Sequence, residues 1–153
     1  TRLSRGLGDV YKRQVPVLTS SLMQVSTVNM LLPDSKKAGI LTISKSTLSD
    51  AHLRAANVPS DTPIGTTEDG AEFSRVILND ELQLNIELAR MDNINAALKM
   101  KTDYPELGAI ILECTNMSPY AEAIQEAVEL PVFSIVNLVE WLHAGLKPKR
   151  FSS

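Results

Sequence analysis

A chain of 153 residues, 44% hydrophobic and 22% charged, has enough apolar mass for one folded domain and the make-up of an ordinary globular protein. Its net charge of −3 gives no basic surface for nucleic acid, and no apolar run is long enough to span a membrane, so neither partner is expected. One cysteine excludes an internal disulfide framework and suits a reducing, cytoplasmic setting; the N-terminus lacks the apolar centre of a signal peptide.

Thr1–Gln14 stands apart from the rest of the chain. It has no helical or strand period, carries two glycines, and holds four Lys/Arg against one Asp in a chain that is otherwise acidic. The string resembles a translated sequencing adapter and is expected to pack poorly, so fold reasoning starts at Val15. From there strands and helices alternate. Val15–Leu18 reads as a strand, and Ser20–Leu32 as a helix with Leu22, Val25, Val28, Leu31 and Leu32 on its apolar face. Ala38–Ile43 is the next strand, followed by a helix over Thr47–Ala56, a short strand at Pro63–Thr66 and a turn at Glu68–Gly70. A short helix over Glu72–Leu78 precedes a longer one over Leu84–Lys101, whose apolar face runs through Leu84, Leu88, Met91, Ile94 and Leu98.

Ala109–Leu112 is continuously apolar and β-branched at its centre, as suits a strand buried on both faces of a parallel sheet. Polarity arrives abruptly at Glu113, Cys114, Thr115 and Asn116; Ser118 then reads as the N-cap, and Pro119 as the first residue, of a helix facing inward through Ala121, Ile124, Gln125 and Val128. Cys114 therefore lies at the carboxyl end of a strand, the edge at which open α/β sheets bind ligands. Pro131–Ser134 is the last strand, and Ile135–Ala144 a helix stopped by His143, Gly145 and Pro148. Val15–Val25 also aligns without gaps on Leu130–Glu140, each copy a strand opening a helix, which suggests the end of one lobe (15–34) followed by all of a second (35–153).

The segments I-L-E-C-T-N-M-S-P-Y-A-E-A-I, L-P-V-F-S-I-V and W-L-H-A-G-L, with V-P-V-L-T-S-S-L and A-G-I-L-T-I-S before them, resemble the aspartate/glutamate/hydantoin racemase superfamily over essentially all of Val15–Phe151. The resemblance implies two α/β lobes with the substrate between them, each lobe supplying one cysteine; one thiolate takes the α-proton and the other thiol returns a proton on the opposite face. It implies no cofactor and no metal. Together with right-handed crossovers it gives the fold: α/β, a three-layer doubly wound parallel sheet in the flavodoxin-like order 2-1-3-4, its strands being Ala38–Ile43, Pro63–Thr66, Ala109–Leu112 and Val132–Phe133. Cys114 matches the second-lobe cysteine, and Thr115 a residue that holds the substrate's carboxylate or amino group. Asn116 stands where glutamate racemases carry a histidine, a departure that points to a less characterised branch.

The first-lobe cysteine has no counterpart, so the parent is expected to racemise an amino-acid-like substrate while this chain, truncated, is expected to be inactive unless a neighbouring copy in a homo-oligomer completes the site. Decarboxylation or cis–trans isomerisation of small dicarboxylates is the alternative within the superfamily. A non-catalytic binding module, with Cys114 as mere packing, is the alternative outside it.

Several other side chains need weighing. A helix N-terminus and polar neighbours argue for a stabilised Cys114 thiolate. Thr42, Ser44 and Thr47 follow a strand and can line the same cleft, as can Thr19 and Ser20, although turn and capping chemistry also explains all five. His143 suits a helix end, His52 has no evident role, Trp141 reads as core or inter-lobe packing, and Glu68, Asp69 and Glu72 read as a solvated turn and helix start rather than a metal site.

Overall fold

The structure is a computed structural model in which residues 16–151 are described; the adapter-like segment lies outside them. A 3₁₀ turn at Ser21–Gln24 runs into α1 (Val25–Leu31), followed by β1 (Lys37–Thr42), α2 (Asp50–Ala55), β2 (Ile64–Thr66), α3 (Phe73–Leu78), α4 (Ile86–Asp103) and β3 (Leu107–Leu112). A second 3₁₀ turn (Thr115–Tyr120) leads into α5 (Ala121–Val128), β4 (Val132–Phe133) and α6 (Ile135–Leu146). The four strands form one sheet in the order β2-β1-β3-β4, with every pairing parallel, which is the expected order. The chain is thus a doubly wound α/β fold.

The two central strands are buried along almost their whole length, and alternation sends their side chains to two different cores. Ala38, Ile40, Ala109 and Ile111 meet Leu22, Val25 and Val28 of the first helical segment. Leu41, Ile110 and Leu112 meet Phe73, Ala89, Ala97, Met100, Ile124 and Val128 from α3, α4 and α5. Residues 21–31, placed by the repeat with a first lobe, here cover one face of this sheet.

Several sequence expectations are overturned. Pro16–Leu18 is not a strand, since a strand is defined by its ladder and this segment pairs with none of the four. Thr47 lies outside α2, which starts only after Ser49 accepts from the His52 N–H. Leu31 is exposed, because α1 ends with it and the core stops at Val28. Gly145 lies within the last turn of α6, which closes at Lys147 instead; Lys147 precedes Pro148, and a residue before proline is pushed out of the helical region. Trp141 is 71% exposed, so it is no part of this core.

The largest departure concerns α4. Its expected apolar face is turned outward, with Leu88, Met91 and Leu98 exposed, while Ala89, Asn93, Ala97 and Met100 are buried. The reason lies in two glycines. A Cβ at Gly39 of β1 would overlap the Met100 and Leu107 side chains, and one at Gly65 of β2 would stand 3.0 Å from the Met100 sulfur. Met100 therefore seats over both strands, and small residues on the same face let the helix follow it down. Gly39→Val is expected to lower stability by about 1–3 kcal/mol, as overpacking does, read from the midpoint of a urea titration; an unchanged midpoint would show that Met100 does not need that space.

Candidate functional site

Parallel strands finish at one edge, and the polar residues that follow β1, β2 and β3 meet there. Thr42, the last residue of β1, donates its hydroxyl to Glu113 Oε2 at 3.0 Å, so the end of β1 is tied to the residue before Cys114. Ser44 and Ser46 both donate to Glu68 Oε1, at 2.7 and 2.9 Å. Glu68 Oε2 accepts from the Lys45 N–H at 3.0 Å and the Thr66 hydroxyl at 3.1 Å. Four donors on one carboxylate hold Glu68 far below the usual range, at about 2, the Ser44 hydroxyl contributing most. Beneath this cluster Ser74 donates to the Ile43 carbonyl at 3.0 Å; its proton is then committed, so Thr67 donates to Ser74 across 2.8 Å.

Cys114 is half-buried and caps the 3₁₀ turn with its backbone, its carbonyl accepting from the Met117 N–H at 3.0 Å. The helix expected to begin at Ser118–Pro119 begins earlier, as this turn, with Pro119 inside it and α5 starting at Ala121. Ser118 is not a cap; its hydroxyl is buried without a partner. The expectation of a stabilised thiolate is also overturned. Burial pushes the Cys114 thiol above its ordinary value and the Glu113 carboxylate adds to the rise, while the Asn116 and Met117 N–H groups pull the other way and lose. The turn is a single short 3₁₀ segment, too short for an appreciable dipole to offset desolvation.

The other candidate residues fall into two groups. Thr42 and Ser44 are buried at the sheet edge, and Thr47 donates to the Ser44 carbonyl at 3.2 Å, so these three lie together. Thr115 and Asn116 are exposed at the start of the turn beside Cys114. Ser20 is occupied as a helix cap, accepting from the Leu22 N–H at 3.2 Å, and Thr19 donates to the Met23 sulfur at 3.5 Å. The segment nevertheless reaches the same edge, because Ser21 donates to the Leu112 carbonyl at 2.6 Å.

Sequence reasoning missed Glu113, Ser21, Ser46, Thr66 and the structural use of Glu68. Glu113 was legible by the rule that found Cys114, being the first polar residue after a buried strand. The others depend on which loops meet, which no local pattern records. A concavity of about 970 Å³ lies elsewhere, beside β4 and between α5 and α6, and includes neither Cys114 nor the hydroxyl cluster. Among the described residues no group of three or more His, Cys, Asp and Glu is arranged to hold a metal ion, and no helix is long and apolar enough to cross a membrane.

The fold can be set beside known proteins. A crystal structure of allantoin racemase from Pseudomonas fluorescens superposes on 86% of this chain with a TM-score of 0.53 and 16% identity. The two share a fold. This chain spans 60% of that racemase. A 41-residue stretch is 40% identical to dimethylsulfoniopropionate lyase 5 of Emiliania huxleyi (strain CCMP1516), covering 27% of this chain and 8% of that protein. No family model matches the chain.

Two measurements test this geometry. Glu68 is held ionised only in the folded state, so its stabilising contribution is complete above the ordinary 4.5 and is lost as pH falls toward about 2. Glu68→Gln is therefore expected to flatten the fall in melting temperature over that window, and parallel curves for the two proteins would remove Glu68 from its anchoring role. For Cys114, the rate of iodoacetamide alkylation against pH is expected to rise at higher pH in the native chain than in the same chain unfolded in urea. A native curve displaced to lower pH would contradict the burial argument.

Proposed function

We propose that this chain is the cysteine-bearing second lobe of a cofactor-independent enzyme of the aspartate/glutamate/hydantoin racemase superfamily, which moves a proton at the carbon next to a carboxylate of a small amino-acid-like substrate. The reading is carried by Cys114, half-buried at the carboxyl end of the central strand β3, on a fold shared with a racemase. Exposed Thr115 and Asn116, with the backbone N–H groups of the turn, supply donors for a substrate carboxylate. Thr42, Ser44 and Thr47 line the neighbouring strand end, and Thr19 and Ser20 the approach from α1. Such oriented donors matter because charge builds on the carboxylate as its α-proton leaves.

On this reading the thiol's protonation suits one of the two roles. Held neutral by burial and by Glu113, Cys114 is the resting acid, which returns a proton, and the base must come from the opposite face of the substrate. The chain has one cysteine, so the base is supplied by another lobe or another copy. An apolar groove of about 350 Å³ between α1 and α6, lined by Leu18, Met23, Leu31, Phe133 and exposed Trp141, is where a first lobe would seat. A lobe seated there would keep water from the site and strengthen its electrostatics.

A second reading draws on the local identity to a lyase. Elimination from a substrate bearing a leaving group on its β-carbon begins with the same removal of a proton next to a carboxylate, and differs only in what departs afterwards. Decarboxylation or cis–trans isomerisation of a dicarboxylate would use the same edge.

Proton NMR in deuterium oxide distinguishes these readings. The chain, alone and joined to a first lobe, is incubated with aspartate, glutamate, substituted hydantoins, a sulfonium-bearing propionate and small dicarboxylates. Exchange of the α-proton is expected only in the two-lobe protein, and Cys114→Ala is expected to abolish it by at least about 100-fold, the scale of a lost acid/base group. Release of the sulfide without racemisation would select the lyase. Exchange insensitive to Cys114→Ala would remove the cysteine from the chemistry and leave a binding module.

A further inference from the structure

We propose that two copies of this chain pair through the outer face of α4, with the two helices antiparallel. The helix carries two apolar stripes. One, through Ala89, Asn93, Ala97 and Met100, is buried against the sheet. The other runs through Leu88, Met91, Asn95, Leu98 and Thr102, at alternating intervals of three and four residues, the spacing of a coiled-coil seam. At 100° per residue this second stripe lies diametrically opposite the first. Its large members are Leu88, Met91 and Leu98, respectively 50%, 43% and 39% exposed. A helix that needed only to cover the sheet would have polar residues there.

The occupant follows from how the seam reads against itself. Turned antiparallel about an axis beside residue 93, the seam sets Leu88 against Leu98 of the second copy. The same register sets Met91 against Asn95 of the second copy on either side of the axis, and a polar residue within such a seam specifies register. Charge agrees with this direction. The first half of the helix carries Glu87, Arg90 and Asp92 and the second half Lys99, Lys101 and Asp103, so antiparallel copies set a net negative half against a net positive one, whereas parallel copies would set like against like. Glu87 pairs with Arg90 in an exposed contact that costs little to rearrange, whereas Lys101 donates to the Val128 carbonyl at 2.7 Å in a part-buried contact and acts from where it stands. The opposed helix dipoles favour the same arrangement.

Other parts of the same protein approach from elsewhere. Leu18 lies in the groove between α1 and α6, and α1 covers the opposite face of the sheet from α4. A lobe seated in that groove leaves the α4 seam free for a second copy.

Sedimentation velocity on the 153-residue chain, with disulfide trapping in a Cys114→Ser background, tests the pairing. The chain is expected to be a dimer. Leu88→Glu combined with Leu98→Glu, both at exposed positions, is expected to weaken association by at least about 100-fold while leaving the far-ultraviolet circular dichroism unchanged. Mild oxidation is expected to cross-link a Leu88→Cys chain to a Leu98→Cys chain in preference to either with itself. A chain that stays monomeric, a dimer that survives both glutamates, or Leu88→Cys chains that cross-link preferentially to each other would overturn the proposal.

Discussion

The parallel pairing of β1 with β3 sets Ile40 beside Ile111 and Leu41 beside Leu112, and the next step of that ladder brings Thr42 to Glu113. A two-stranded register, fixed by side chains buried to 0–1%, thus decides which polar groups meet at the open edge. Because side chains alternate along a strand, a slip of one residue would exchange the two cores. It would also carry Thr42 away from Glu113, so the site inherits its geometry from the hydrophobic pattern beneath it.

The central strands were legible for the same reason. Ala109–Leu112 and Ala38–Ile43 are apolar without interruption, which only burial on both faces permits, and strands of that kind belong to a parallel sheet with helices above and below. The strand order needed more than pattern, since it came from the handedness of crossovers together with a family likeness. The place of Cys114 at a strand end was legible from the apolar run before it. Its ionisation was not, because a helix N-terminus and polar neighbours suggest a thiolate, whereas the sulfur's depth depends on how the turn folds back over β3.

The misreading of α4 has a physical origin too. Sequence periodicity reveals an apolar stripe but not what the stripe faces, and here the larger side chains lie on the stripe turned away from the sheet. The inward stripe reaches the sheet through Met100, which fills the space left open by Gly39 and Gly65, and the alanines beside it let the helix approach closely. The glycines and Met100 are far apart in the chain, and only their juxtaposition explains the inward face. The repeat offers a similar lesson at smaller scale. Thr19 aligns with Ser134, yet the first helical segment is capped by Ser20 and the last by Ser134, since Pro16–Leu18 lacks the ladder that anchors Val132–Phe133.

The depth of Cys114 bears on how the protein would age. Peroxide attacks the thiolate, and a thiol kept protonated by its surroundings presents little of that form at neutral pH. A reactive cysteine of low pKa is the one that first becomes a sulfenic acid when oxidant rises. Burial beside a carboxylate spares Cys114 that fate at neutral pH, so the depth of the turn also slows the consumption of this sulfur by oxygen chemistry.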